Sequence, residues 1–212
     1  SASESAKNTA HFLWDLKIDL GTSVRTIKET VLASREDLTI ITNLLETHFI
    51  AGAKDTYEEL TTVLENDDFW DDEKFFEAKI DEQNKRYHSF RDTVYSLEPD
   101  VKNSPGGLRD LHIMQWLAIK IYHAHCNADL CEVGLLTKSE YEEYLACRDF
   151  LWDVRFAVHC NSNSNILRLD FQKNVASLLG YGDEGNEPVE SMMRDLFRIF
   201  NRVRELNNIL LQ

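Results

Sequence analysis

The segment 97–110 constrains the fold of this chain more than any other stretch of its sequence. It reads Leu-Glu-Pro-Asp-Val-Lys-Asn-Ser-Pro-Gly-Gly-Leu-Arg-Asp and holds two of the three prolines, followed by two adjacent glycines. Proline fixes the backbone φ angle and glycine permits conformations that other residues avoid, so the segment is predicted to be a defined loop. The apolar periodicity from Leu108 to about Tyr122 predicts that this loop leads directly into a helix.

The start of that helix is a candidate anion site. Backbone N–H groups at a helix N-terminus lack intrahelical partners, and the helix dipole places positive charge there. Lys102 and Arg109 flank these groups, and Glu98, Asp100 and Asp110 add carboxylates close by. A phosphate or a carboxylate ligand would fit. The alternative is a structural turn in which Arg109 and Asp110 pair with neighbouring helices, and the sequence leaves both interpretations open.

Composition and charge exclude several classes of function. A chain of 212 residues with 43% hydrophobic and 28% charged residues is typical of a globular protein with a sizeable core. The formal net charge is −14 and no basic stripe is present, which argues against binding to bulk nucleic acid. No stretch approaches the roughly 20 apolar residues of a membrane helix, and no signal peptide is recognisable. We therefore expect no membrane partner and a cytoplasmic location.

The cysteines predict free thiols in a reducing compartment, because none of them forms a C-x-x-C pair. They are Cys126, Cys131, Cys147 and Cys160. The sequence His-Ala-His-Cys at 123–126, followed by Cys131, suggests zinc, since imidazole and thiolate are zinc ligands. On a helix, however, His123 and Cys126 would share a face and His125 would point elsewhere. The favoured interpretation is a helix end with incidental histidines and cysteines.

Periodicity predicts a mostly α fold with a small N-terminal sheet remnant. Residues 15–20 alternate between polar and apolar, which indicates a strand after a short helical piece at 11–14. Everything after about Ser34 has helical spacing, and six or seven helices with short links predict an antiparallel bundle. The expected helices lie at 38–49 with Asp37 as N-cap and Gly52 as stop, 57–64, 76–90, 108–122, 137–158 with a Thr-x-x-Glu capping box, 171–179 and 189–210. A single strand needs sheet partners, so either 15–20 is not a strand or its partners lie outside this chain.

Several motifs in a fixed order resemble one known family. They are Phe-Leu-Trp-Asp-Leu-Lys-Ile-Asp-Leu-Gly at 12–21, Ser-Val-Arg-Thr at 23–26, Thr-Asn-Leu-Leu-Glu at 42–46, Leu-Glu-Pro-Asp-Val-Lys at 97–102, Ser-Pro-Gly-Gly-Leu-Arg-Asp at 104–110, Phe-Leu-Trp-Asp-Val-Arg-Phe at 150–156, Gly-Asn-Glu-Pro-Val-Glu at 185–190 and Glu-Leu-Asn at 205–207. Over residues 12–212 the chain resembles the bacterial protein-PII uridylyltransferase/uridylyl-removing enzymes. A related Gly-Gly-x-Arg-acid loop makes glutamine synthetase adenylyltransferase the nearest confusable relative. The chain departs from the family's pattern at three positions. The family usually has His, Arg and Asp where this chain has Thr22, His48 and Ala53, respectively.

The resemblance implies a division of the chain and an activity. Residues 1–35 would be the tail of a polymerase-β-like nucleotidyltransferase domain, and residues 36–212 the helical domain that follows it. The intact enzyme would use magnesium to transfer UMP from UTP to a tyrosine of the PII signal protein, and would remove it through another domain. The family's Gly-Ser…D-x-D segment, H-D pair and C-terminal ligand-sensing repeats do not occur in this sequence. The chain is therefore expected to be a piece of a longer enzyme and to be inactive alone.

The resemblance also implies candidate site residues. Asp19 is the candidate catalytic and metal-binding acid, although Asp15 would share its strand face and an exposed structural carboxylate is the alternative. The candidate nucleotide- or substrate-binding residues are Lys102, Gly106, Gly107, Arg109 and Asp110. A second hypothesis makes the chain a helical interaction module without chemistry of its own. It would dock PII or brace the catalytic domain, with the loop as an inter-domain latch.

Overall fold

A computed structural model describes residues 2–18, 20–66, 70–124 and 129–211. Within these residues the backbone forms ten α-helices and one short 3₁₀ helix at Leu169–Phe171. The α-helices are α1 (Ala2–Asp15), α2 (Ile27–Glu36), α3 (Leu38–Leu45), α4 (Lys54–Leu64), α5 (Asp72–Ser89), α6 (Leu108–Tyr122), α7 (Asp129–Glu132), α8 (Lys138–His159), α9 (Gln172–Leu178) and α10 (Glu187–Leu210). No helix among the described residues is both long enough and apolar enough to span a bilayer.

The chain divides into two compact units, Ser1–Trp70 and Asp71–Gln212. The first contains α1–α4 and the second contains α5–α10. The domain boundary near residue 35 that the resemblance implies stays a prediction. The mostly helical fold is confirmed.

The predicted strand at 15–20 is wrong. Helix α1 runs on to Asp15, and the N–H groups of Leu16 and Ile18 donate to the carbonyls of Phe12 and Leu13. The alternating apolar side chains bury little, since Leu16 and Ile18 are 57% and 46% exposed. No strand forms in the described residues, so the predicted sheet remnant is not observed there. A helix end satisfies these backbone groups locally, whereas a strand would need a partner.

The core of the second unit lies among α6, α8 and α10. Helix α10 packs against α6, α8 and α9, and α6 also packs against α5. Side chains that are completely buried here include Met114, Leu151, Val154, Leu196 and Phe200. Two predictions about this unit are confirmed: α6 spans Leu108–Tyr122, and Thr137 caps α8 through a capping box with Glu140.

Helix α5 buries only part of the seam that its apolar spacing predicts, which is Phe76, Ile80, Gln83, Tyr87 and Phe90. Gln83 is buried as predicted, the other four are half-buried, and the remaining buried residues are Phe75 and Lys79. Lys79 is 2% exposed, its Nζ lies 4.6 Å from the centroid of the Trp116 ring, and it forms an ion pair with Glu82. Hydrophobic periodicity does not predict the burial of Lys79 because lysine counts as a polar residue. The aliphatic stem of lysine packs like an apolar side chain when the ammonium group has partners.

Candidate functional site

The segment 97–110, here called the Pro-Gly loop, is held by hydrogen bonds that its own carboxylates accept. Asp100 accepts from the backbone N–H groups of Lys102 at 2.9 Å and Asn103 at 2.8 Å. Glu98 accepts from the N–H of Leu169 at 2.9 Å. These two carboxylates therefore shape the loop and fix the backbone that carries Lys102.

The loop is also tied to the connection between α8 and α9. Val101 donates its N–H to the carbonyl of Asn165 at 2.9 Å, and Leu167 donates to the carbonyl of Pro99 at 2.9 Å. These bonds flank an isolated antiparallel bridge between Asp100 and Ile166. The connection between α8 and α9 thus lies beside the loop.

Asp110 braces the loop from inside. Its side chain is fully buried and accepts hydrogen bonds from the Arg86 guanidinium, the Tyr87 hydroxyl and the N–H of Gly106. Arg86 also donates to the carbonyl of Asn103 at 2.9 Å. Burial and the neighbouring charge of Asp110 raise the pKa of Tyr87, so its hydroxyl remains a donor. Both oxygens of Asp110 are used within the protein, which gives this predicted ligand-binding residue a structural role.

The backbone N–H groups at the start of α6 already have partners inside the loop. Gly107 donates to the carbonyl of Ser104 at 2.8 Å, and Arg109 donates to the carbonyl of Lys102 at 2.8 Å. The other N–H groups at this end are those of Leu108, which donates to Val101, and Asp110, which donates to Gly107. The prediction that these groups are free to bind an anion is therefore wrong. An anion would have to be bound by side chains.

The two glycines allow close packing against protein backbone. Gly106 has φ +80°, and a Cβ atom there would overlap the carbonyl group of Phe200 in α10. A Cβ atom on Gly107 would lie 2.8 Å from the carbonyl oxygen of Val101 and 2.9 Å from that of Ser104. The close approach that the glycines permit is thus to α10 and to the loop itself.

Lys102 and Arg109 lie together with a third cation, Arg155 of α8. All three side chains are half-buried. The pKa of Lys102 is lowered from its ordinary value, first by burial and then by the positive charges of Arg109 and Arg155. The Arg109 guanidinium carbon lies 5.4 Å from the centroid of the Trp116 ring, a distance at which cation and ring attract. We call Lys102, Arg109 and Arg155 the cation cluster.

In the part of the chain that the structure describes, no carboxylate forms an ion pair with the cation cluster, and Asp100 is the acidic residue whose charge partly offsets the lowering of the Lys102 pKa. Salt bridges there involve other arginines and lysines, and none includes Lys102, Arg109 or Arg155. Positive charges in a chain of net charge −14 usually find carboxylates, so this cluster is unusual for the molecule. It can bind an anion through its side chains.

The predicted metal-binding role of Asp19 stays a prediction. Asp19 is outside the described residues, and Asp15 is the last residue of α1 in the first unit. Among the described residues no group of three or more His, Cys, Asp or Glu side chains is arranged to hold a metal ion. Cys131, Cys147 and Cys160 are free cysteines, whereas His125 and Cys126 lie outside the described residues.

Sequence reasoning missed Arg155 and Asn165. Arg155 donates from Nε to Asn165 Oδ1 at 2.9 Å, and Asn165 in turn bonds the Pro-Gly loop through its carbonyl. The sequence offered some signal for both residues. Arg155 belongs to the motif at 150–156, and Asn165 ends a polar run that follows α8. Only the fold shows that they lie beside Lys102.

One family model covers nearly all of the second unit, including the Pro-Gly loop. The model described as GlnD PII-uridylyltransferase matches residues 74–211, which include the loop, Arg155 and Asn165. The chain belongs to this PII-uridylyltransferase family.

Curated relatives agree with this assignment. The bifunctional uridylyltransferase/uridylyl-removing enzyme of Vibrio atlanticus (strain LGP32) is 46% identical over 202 residues, which cover 94% of this chain and 23% of the relative. The enzyme of the same name from Idiomarina loihiensis is 43% identical over 212 residues, covering 99% of this chain and 24% of the relative. The chain thus spans about a quarter of the length of these relatives. No solved structure matches it.

Proposed function

We propose that this chain is part of a bacterial cytoplasmic enzyme that transfers UMP from UTP to the PII signal protein. In this proposal Lys102 and Arg109 bind phosphate groups of the nucleotide. The observation that carries it is the position of these two cations, half-buried together without an ion-pair partner among the described residues. Membership of the PII-uridylyltransferase family supports the reaction class.

The proposed role follows from the charge that nucleotidyl transfer develops. Attack on the α-phosphorus of UTP forms a bond to the incoming oxygen and breaks the bond to pyrophosphate, which leaves with additional negative charge. Preorganised cations stabilise such charge more in the transition state than in the ground state. Arg109 offers a planar fork of donors for phosphate oxygens, and its contact with Trp116 restricts the orientation of that fork.

Magnesium is the expected cofactor of the intact enzyme. When bound, it would neutralise phosphate charge and activate the attacking oxygen. None of the described residues is assigned to it. The contribution of this chain is to orient and neutralise phosphate groups with its own cations.

The internal bonding of the Pro-Gly loop favours a second candidate function, a docking or bracing module. The paired N–H groups at the start of α6 and the buried Asp110 make the loop rigid by itself. In that case Lys102 and Arg109 would contact carboxylates of the catalytic domain or of PII. The names of the relatives also include removal of the uridylyl group. Other parts of the enzyme would catalyse that reaction.

Replacing Arg109 with lysine in the full-length enzyme distinguishes the two functions. Lysine keeps the charge but loses the fork, so turnover of UMP transfer should fall roughly tenfold or more, about 1.4 kcal/mol of transition-state stabilisation. The melting temperature should barely change. Arg148→Lys is the matched control, because Arg148 pairs locally with Asp149. A lowered melting temperature with normal turnover of the folded protein would contradict the proposed role and support bracing.

A further inference from the structure

Three separate elements bring the cation cluster together. Lys102 is in the Pro-Gly loop, Arg109 is in the first turn of α6, and Arg155 is in the second half of α8. The carbonyl of Lys102 accepts from the N–H of Arg109 at 2.8 Å, which fixes these two residues relative to each other. The cluster is therefore a product of the fold and not of one flexible segment.

Asn165 fixes the third cation against the first two. Its carbonyl accepts from Val101, the neighbour of Lys102, at 2.9 Å. Its side-chain Oδ1 accepts from Arg155 Nε at 2.9 Å and lies 3.1 Å from His159 Nε2. A neutral amide thus holds Arg155 in place without neutralising it. The terminal nitrogens of the guanidinium group remain available, since the only hydrogen bond of Arg155 in the described part of the chain uses Nε.

Placing three positive charges close together is electrostatically unfavourable. Like charges repel, and both Arg109 and Arg155 lower the pKa of Lys102, whereas the charge of Asp100 acts in the opposite direction. One carboxylate faces three cations, so the repulsion is only partly balanced. A carboxylate in place of the Asn165 amide would relieve this repulsion, yet the chain has an amide there. An external anion with several charged oxygens relieves it as well, because each cation can take a different oxygen.

We propose that Arg155 completes, with Lys102 and Arg109, a side-chain site for the polyphosphate of a nucleotide, and that Asn165 is its positioning residue. This inference deepens the proposed function and rests on it for the identity of the ligand as a nucleoside triphosphate. A single carboxylate would balance only one of the three charges. A triphosphate chain presents enough charge and enough oxygens to contact all three side chains.

Titration of the chain with inorganic triphosphate, followed by calorimetry, tests the site without requiring catalysis. Arg155→Gln removes the charge and should weaken binding about tenfold, the loss typical of one hydrogen bond between charged groups. Arg148→Gln, on the same helix, should bind like the unchanged chain because Arg148 is paired with Asp149. Binding should weaken with added salt, since the attraction between exposed charges is screened.

The Asn165→Asp variant separates an effect on stability from an effect on triphosphate binding. Aspartate keeps the size of the side chain and the acceptor for Arg155, but it neutralises that cation in place. We expect a melting temperature equal to or above that of the unchanged chain together with triphosphate affinity lowered about tenfold. If Arg155 only braces the α8–α9 connection, the same variant will be at least as stable and will bind triphosphate normally.

The outcomes separate this inference from the function on which it rests. Unchanged triphosphate affinity in both Arg155→Gln and Asn165→Asp would overturn the role of Arg155. If Lys102→Gln and Arg109→Gln nevertheless weaken binding, the proposed function stands with a two-cation site. If none of the four variants changes the affinity, both proposals about the loop fail.

Discussion

Charged residues around the Pro-Gly loop have two contrasting environments. Arg86 and Asp110 are paired and shielded from solvent, with side-chain exposures of 11% and 0%. Lys102, Arg109 and Arg155 are half-buried without ion-pair partners in the described chain. The first group holds the loop in place, and the second is the proposed ligand site. Substitutions should therefore affect stability in one group and binding in the other.

Asp110→Asn should destabilise the protein strongly. The amide loses the charge that balances Arg86, and one of its two acceptor sites becomes a donor facing other donors. Removing one partner of a buried ion pair costs about 3 kcal/mol or more. Urea unfolding followed by circular dichroism measures this loss.

Asp149→Asn, which alters an exposed ion pair, should change the free energy of unfolding by less than about 1 kcal/mol. Similar losses in both variants would contradict the bracing role of Asp110.

The cysteines should differ in reactivity according to burial. Burial raises the pKa of Cys147 to about 11, so at pH 8 this thiol is almost entirely protonated and unreactive. Cys160 is exposed. A thiol reagent at pH 8 should label Cys160 in the native protein and Cys147 only after denaturation, as mass spectrometry of peptides can show. Equal labelling rates for these two cysteines in the native state would contradict the described packing.

At the scale of elements, Gly106 joins the Pro-Gly loop to α10, and Gly180 provides a matched control. Both have positive φ, +80° and +82°, but a Cβ atom meets the backbone of Phe200 only at Gly106. Gly180→Ala should lose about 1 kcal/mol from backbone strain alone. Gly106→Ala should lose roughly 2 kcal/mol more because α10 must shift. Thermal unfolding of the two variants gives the difference, and equal losses would show that the loop does not pack tightly on α10.

Local signals in the sequence predicted the starts of α6 and α8 but not α2, α7 or most of α1. The Pro-Gly pair before an apolar stripe gave the start of α6 at Leu108, and Thr137 with Glu140 gave the start of α8. Both signals act within one helical turn, so they do not depend on tertiary contacts. The strand predicted from the alternation at 15–20 does not form among the described residues. A strand depends on a partner, and periodicity does not reveal whether one is present.

The candidate site was only partly predictable for the same reason. Lys102 and Arg109 were identified because they lie close in sequence to the loop glycines. Arg155 is more than forty residues away and joins them only through Asn165. The pairing of the α6 N–H groups was also missed, since it depends on the folded path of the loop. Separation along the chain thus sets the limit of what sequence reasoning could predict here.

At the scale of the whole molecule, the chain is not expected to transfer UMP alone. Activation of an attacking oxygen by metal ions needs paired carboxylates, and the D-x-D pair of the nucleotidyltransferases does not occur in this sequence. The cation cluster is proposed to neutralise phosphate, and its lysine and arginine side chains are not metal ligands. We therefore predict no transfer of labelled UMP from UTP to PII by the purified chain, in magnesium buffer where the full-length enzyme is active.

The same preparation must be shown to be folded for that prediction to be meaningful. A far-ultraviolet circular dichroism spectrum dominated by helix, together with measurable triphosphate binding, would exclude unfolding as the cause of missing activity. Under those conditions an absence of UMP transfer would separate the proposed phosphate binding by the helical unit from catalysis, which requires metal-binding carboxylates. Labelled PII formed by the folded chain alone would contradict the prediction and would place the catalytic acids within these 212 residues.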